Sequence, residues 1–84
     1  MALEVVFAVY GALRERRYTE AAIVTDALQR HFDKNKTVLK IDNDNMGGDP
    51  APHVEKHFGA IVLVSGKRRP FACLERQTIN FEKP

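Results

Sequence analysis

Cysteine is nearly absent: Cys73 is the one thiol in 84 residues. A disulfide framework within the chain is therefore excluded. A single unpaired thiol fits a reducing compartment, so the cytoplasm is the expected location. Long apolar runs are missing too. None approaches the ~18 residues of a membrane span, and the N-terminus has no basic segment leading into an apolar one with a cleavage site, so neither a membrane partner nor a secretory leader is expected. Charge of one sign is scarce. Thirteen Lys and Arg stand against eleven Asp and Glu, short of the excess or concentrated stripe that marks a dedicated nucleic-acid domain. Repeats and low-complexity tracts are lacking, and the composition is that of a globular chain, so disorder is excluded for most of the length. What remains is one small β-rich domain over residues 1–84, with room for one core between two packed layers. A core this small, without disulfides or an obvious metal cluster, gains from self-association, and a homodimer is expected.

Leu3 to Tyr10 reads LEVVFAVY. It is apolar on both alternating faces and rich in β-branched residues, which predicts a central strand. Strict alternation puts Leu3, Val5, Phe7 and Val9 on one face. From Tyr18 to Asp33, Ala21, Val24, Leu28 and Phe32 recur at spacings of three and four, the pattern of an amphipathic helix. Two starts compete. Thr19 can cap a helix running from Glu20, or Ala21 to Val24 is extended and Thr25 caps a shorter helix. The adjacent β-branched Ile23, Val24 and Thr25 favour the shorter one. Thr37–Ile41 is a short strand with Val38, Leu39 and Ile41 as core candidates, and Phe58–Val64 is the clearest strand of the chain. Ser65 to Lys67 is a turn, with Gly66 free to take a positive φ. Arg69–Leu74 returns as its partner, with Pro70 marking an edge, and Gln77–Phe81 is a last short strand. The expected fold class is α+β, mainly β: a small antiparallel sheet or sandwich with one short helix. Phe7, Val9, Leu28, Phe32, Leu39, Phe58, Ile61, Leu63 and Phe71 are its expected core.

The residues with chemistry gather between Asp42 and His57. Asp42, Asp44 and Asp49 sit among Asn43, Asn45, Gly47 and Gly48, and alternating carboxylates followed by glycine can wrap oxygen ligands around a divalent cation. The EF-hand pattern fails, because Met46 takes its third ligand position and His53 its twelfth. A polar turn stabilised by its own side chains is the plainer account. His53 and His57 are four apart, a spacing that puts both imidazoles on one side of a helix or strand and can hold a borderline metal. Glutamate is third rather than second between them, so the zinc-protease order is absent. Cys73 alternates with Phe71 in an apolar strand, which reads as a core thiol rather than a nucleophile. Lys67, Arg68 and Arg69, with Arg14, Arg16 and Arg17, are the basic features, and phosphate binding would need several of them on one face.

Asn43 to Phe58 reads NDNMGGDPAPHVEKHF. This stretch resembles the Asn–x–x–[Phe/Met]–Gly–Asp–Pro–x–Pro–Gly–x–x–Lys segment of a small β-rich domain of unsettled function. That domain occurs as short bacterial and cyanobacterial proteins and resembles a domain at the C-terminal end of some DnaJ-type co-chaperones. Val9 to Ala12 (VYGA) and Val24 to Gln29 (VTDALQ) are similar to its opening strand and to the segment before its short helix. The likeness touches most of the chain, with Gly48 to Pro52 its specific part. This sequence adds Gly47 and has His53 where the pattern has glycine. The resemblance implies a compact β-rich interaction domain and supplies no catalytic residues.

Two classes of function follow. The first is a non-catalytic binding or interaction module that uses the Asp42–His57 loop for a polar ligand or a protein partner. Asp44, Asn45, His53 and His57 would be its contact residues, while Asp49 bonds backbone N–H groups within the turn. The prolines at 50 and 52 restrict the loop and favour order. No resident cofactor is then expected. The alternative is a small metal-dependent enzyme with Asp42, Asp44, His53 and His57 around a divalent ion. Nucleic-acid binding through Lys67, Arg68 and Arg69 ranks behind both.

Overall fold

Gly11 sits where two strands nearly touch, and the sheet is built around that approach. The computed structural model describes residues 3–84. Strand β1 (Leu3–Gly11) pairs antiparallel with the short β2 (Ala21–Ile23) on one side. On the other side it pairs with β4 (His57–Val64), which in turn pairs with β5 (Lys67–Leu74). The sheet order is β2-β1-β4-β5, all antiparallel, and a second sheet joins β3 (Val38–Lys40) to β6 (Thr78–Asn80). One helix, α1 (Thr25–Asp33), completes the α+β fold. The shorter helix start is the one observed. A Cβ at Gly11 would lie 2.5 Å from the Ala21 Cβ and 2.6 Å from the Glu20 carbonyl oxygen, so only glycine lets β2 close on β1. No helix among the described residues is long and apolar enough to cross a membrane.

From Leu3 to Ala8 the β2-side edge of β1 has no strand neighbour, because β2 is only three residues long and pairs with Val9, Tyr10 and Gly11. Helix α1 fills the gap with side chains. The Ala8 N–H donates to Thr25 Oγ1 at 3.0 Å and the Val5 N–H to Gln29 Oε1 at 2.8 Å. Thr25 thus serves the sheet rather than capping α1; Val24 holds the N-cap position and no side chain caps it. Buried backbone donors need partners, and here the sequence supplies them from the helix.

A β-bulge at Val6 breaks the alternation of β1: Val5 pairs with Val62, and Phe7 already pairs with Ile61. One extra residue in a strand turns all later side chains over. Leu3 and Val5 point inward, then Ala8 and Tyr10 do, and both of these are fully buried. Phe7 and Val9, expected in the core, face outward and are 47% and 37% exposed. Ile61 lies beside them, exposed, and Leu63 is half-buried. Val38 is exposed as well.

The core forms between the inner sheet face, α1 and the β3–β6 ribbon. Leu28, Phe32, Leu39, Ile41 and Phe58 are in it as expected, joined by Met46, Val62 and Phe81. Phe81 is its centre. Its ring lies 5.0 Å from Phe32, 4.8 Å from Phe71 and 6.5 Å from Phe58, in tilted or edge-on contacts, the arrangement aromatic quadrupoles favour. Phe71 and Cys73 are half-buried and pack against this cluster. Burial pushes the Cys73 thiol above its ordinary pKa, which suits an inert packing group. Pro70 sits on β5, an outer strand of the sheet, where its missing N–H removes no ladder bond.

Candidate functional site

The segment from Asp42 to Lys56 has no regular secondary structure, so its polar groups must be satisfied piecemeal. They are. Asp42 Oδ1 accepts the Asn45 N–H at 2.8 Å, the side-chain turn that aspartate favours. The Met46 N–H donates to the Asp42 carbonyl at 3.0 Å and the Gly48 N–H to the Asn43 carbonyl at 2.8 Å. Asn45 Nδ2 donates to the Lys40 carbonyl at 2.8 Å, and its own carbonyl meets His31 Nε2 of α1 at 2.8 Å. Met46 and Ala51 are buried pins beneath the loop. Gly47 and Gly48 take φ of +88° and +155°, backbone conformations that side chains disfavour.

Lys56 anchors the second half. Its side chain is buried, yet its ammonium finds three acceptors: Asp49 Oδ1 at 2.7 Å, the Ala51 carbonyl at 3.1 Å and Glu75 Oε1 at 3.4 Å. An ammonium has three protons to donate, so the group is fully satisfied. Glu75 also accepts the Lys56 N–H at 2.9 Å, while its own N–H donates to the Lys56 carbonyl at 2.9 Å. The loop is thereby tied to the segment that follows β5. Burial draws the lysine downward, but the hydrogen bond to Asp49 and the charge of Glu75 outweigh it and hold Lys56 above its ordinary pKa. Asp49 is held below its ordinary value, first by Lys56 and then by the Ala51 N–H, which it accepts at 3.1 Å. The expected structural role of Asp49 is seen, with a buried cation added.

Beside this knot lies Tyr10, fully buried, whose hydroxyl donates to Asn43 Oδ1 at 2.7 Å. Burial raises the phenol, and the carboxylates of Glu75, Asp49 and Asp42 raise it further. Above them opens a polar cleft lined by Asn43, Asp49, His53, Glu55, Glu75 and Arg76. His53 is exposed at its rim, with φ +68°. That is the left-handed region where glycine belongs.

The structure separates the other expected contact residues. Asp44 is exposed on the loop, and Asn45 is spent on internal hydrogen bonds. His57 is half-buried in β4 and lines a different, apolar groove with Leu13, Tyr18 and Ala21. Its Nδ1 is the only buried side-chain polar atom without a partner among the described residues. Among those residues, no three His, Cys, Asp or Glu side chains group as a metal ligand set. Lys67, Arg68 and Arg69 are exposed, but strand period divides them: Lys67 and Arg69 lie opposite the inward Val64 and Val62, and Arg68 opposite Leu63 on the other face. Arg14 is engaged by both carboxylate oxygens of Glu20, at 2.8 and 2.7 Å. The sequence did not single out Lys56, Arg76 or Tyr10. The available signal was the lysine seven residues after Asp49, at the end of the stretch that resembles Gly-Asp-Pro-x-Pro-Gly-x-x-Lys. Comparison with protein-family models, curated proteins and solved structures gives no match.

Proposed function

We propose that the protein is a non-catalytic interaction module whose Asp42–His57 loop, with Glu75 and Arg76, receives a polar segment of a protein partner. One observation carries this reading. His53 is kept exposed at the rim of the polar cleft on a backbone conformation that costs a non-glycine residue about 1 kcal/mol. Such strain persists where the surroundings over-determine it, and it concentrates at ligand-contacting positions. The rest of the loop supports the reading. Lys56, Asp49 and Glu75 satisfy one another and make a rigid floor, while His53, Glu55 and Arg76 are exposed above it with mixed charge and hydrogen-bonding capacity. Recognition loops held by a rigid sheet have this division of labour. The likeness of Asn43 to Phe58 to a small β-rich domain, one that itself resembles a domain at the C-terminal end of some DnaJ-type co-chaperones, agrees with it.

Titration of the isotopically labelled chain with a library of short polar peptides, followed by amide NMR, tests the proposal. Binding peptides should shift Asn43, His53 to Lys56 and Glu75 to Arg76. Peptide-induced shifts confined to another face, or no binding by any member, would overturn it.

A further inference from the structure

The outer face of the four-stranded sheet is apolar and uncovered. Across β1, β4 and β5 the register defines four rows on this face: Glu4–Leu63–Arg68, Phe7–Ile61–Pro70, Val9–Gly59–Ala72 and Gly11–His57–Leu74. Phe7, Val9, Ile61 and Leu74 are each between 37% and 47% exposed, and Ile23 on the adjoining β2 is 74% exposed. The exposures of these five side chains, applied to ordinary residue areas, give about 470 Å² of apolar surface, somewhat more than half of the ~800 Å² each partner gives to a standard interface. A monomer's largest apolar patch is commonly about 300–600 Å².

The rows have a further property. In each, a group on β1 complements its counterpart on β5: an acid faces a base, a large ring a compact proline, a valine an alanine, a glycine a leucine. A two-fold axis running along β4 lays β1 of one copy over β5 of the other. Every row then meets its own complement: Glu4 over the partner's Arg68, Phe7 over the partner's Pro70, Gly11 over the partner's Leu74. Neither Glu4 nor Arg68 has an ion-pair partner within the chain among the described residues. They are also the only Asp, Glu, Lys or Arg in the four rows. We infer that this face is the interface of a symmetric homodimer, with two sheets packed face to face and Ile61 on the axis. A two-fold contact requires such self-complementarity, and aligned sheets cross at about 30° with their inner faces interdigitated.

Sedimentation equilibrium of the full chain across a wide concentration range decides it. The expected species has twice the 9.5 kDa chain mass. Ile61→Lys puts two like charges on the axis and should weaken association by about 100-fold, since like charges brought together at an interface are strongly repulsive, with the circular dichroism spectrum unchanged. Glu4→Arg and Arg68→Glu should each weaken it by about tenfold, and the double reversal should restore it, as charge complementarity requires. The reversals decide the matter if Ile61→Lys fails to fold. A monomer at all concentrations, an open-ended assembly, a dimer that survives in folded Ile61→Lys, or a double reversal no better than the single ones would each overturn the inference.

Discussion

The Lys56 ammonium and the Asp49 carboxylate meet at 2.7 Å across the base of the loop, with the lysine side chain almost wholly out of solvent. Removing one member of such a pair strands the other, and the cost exceeds what the pair contributes when intact. Lys56→Met leaves Asp49 and Glu75 facing each other without a cation. It should lower stability by about 3–5 kcal/mol, read as a shift of the urea midpoint. Asp49→Asn should cost less, because Asp49 is 31% exposed and water can replace its share. A Lys56→Met protein as stable as the parent would show that the knot does not hold the loop.

The same knot sets a pH dependence. Asp49 is depressed in the folded state, so its contribution is present above the unfolded value of about 4 and is lost as pH falls through the lower folded value. Lys56 and Tyr10 are raised. Their contribution is full below about 10 and is lost as pH rises toward their folded values. Melting temperature at fixed ionic strength should therefore show a plateau with a fall on each side, and Asp49→Asn should flatten the acid side. A melting temperature that rises below pH 4 would contradict this.

Phe81 and Phe7 make a contrasting pair. Phe81 is fully buried among three aromatic rings, and Phe81→Ala should cost about 3–5 kcal/mol. Phe7 is half exposed on the outer sheet face. Phe7→Ala should cost the dilute monomer well under half as much, because little of its area is removed from water. Equal losses by denaturant titration would place Phe7 in the core after all.

Much of the fold was legible because strand and helix periods are local. The length of α1, the β4–β5 hairpin and the edge position of Pro70 all followed from patterns within a dozen residues. The inward face of β1 did not. Its bulge at Val6 adds one residue between Val5 and Phe7 in an unbroken apolar run, and nothing in LEVVFAVY distinguishes the two faces once alternation slips. Phe81 was missed for a different reason: it follows a strand of only three residues, and its burial depends on that strand's pairing with β3, about forty residues away. At the site, order in the loop was legible from Pro50 and Pro52, and so was the turn role of Asp49. The partnership of Lys56 with Glu75 was not, since it joins two elements brought together only by the pairing of β4 with β5. His57 was read with His53 from spacing alone, but β4 begins between them and its pleat carries His57 to the outer face.

Gly11 gives a local test of the β1–β2 contact. With the Ala21 Cβ 2.5 Å and the Glu20 carbonyl 2.6 Å from an added Cβ, Gly11→Ala must push β2 away. Overpacking of this kind costs about 1–3 kcal/mol. The bond from the Ala12 N–H to the Glu20 carbonyl should open, so amide exchange should accelerate at Ala12 and in β2 while β4 and β5 stay protected. Unchanged exchange at Ala12 would mean that the strands approach less closely than described.

His53→Gly separates recognition from architecture most directly. Glycine removes the imidazole and relieves the left-handed backbone at +68°. Thermal melting and peptide affinity should be measured on the same preparation. The prediction is that stability rises by about 0.5–1 kcal/mol while affinity for a cleft-binding peptide falls by about tenfold or more, the loss of one strong contact. Unchanged affinity, or a protein less stable than the parent, would contradict the assignment of His53 as a contact residue on a rigid loop.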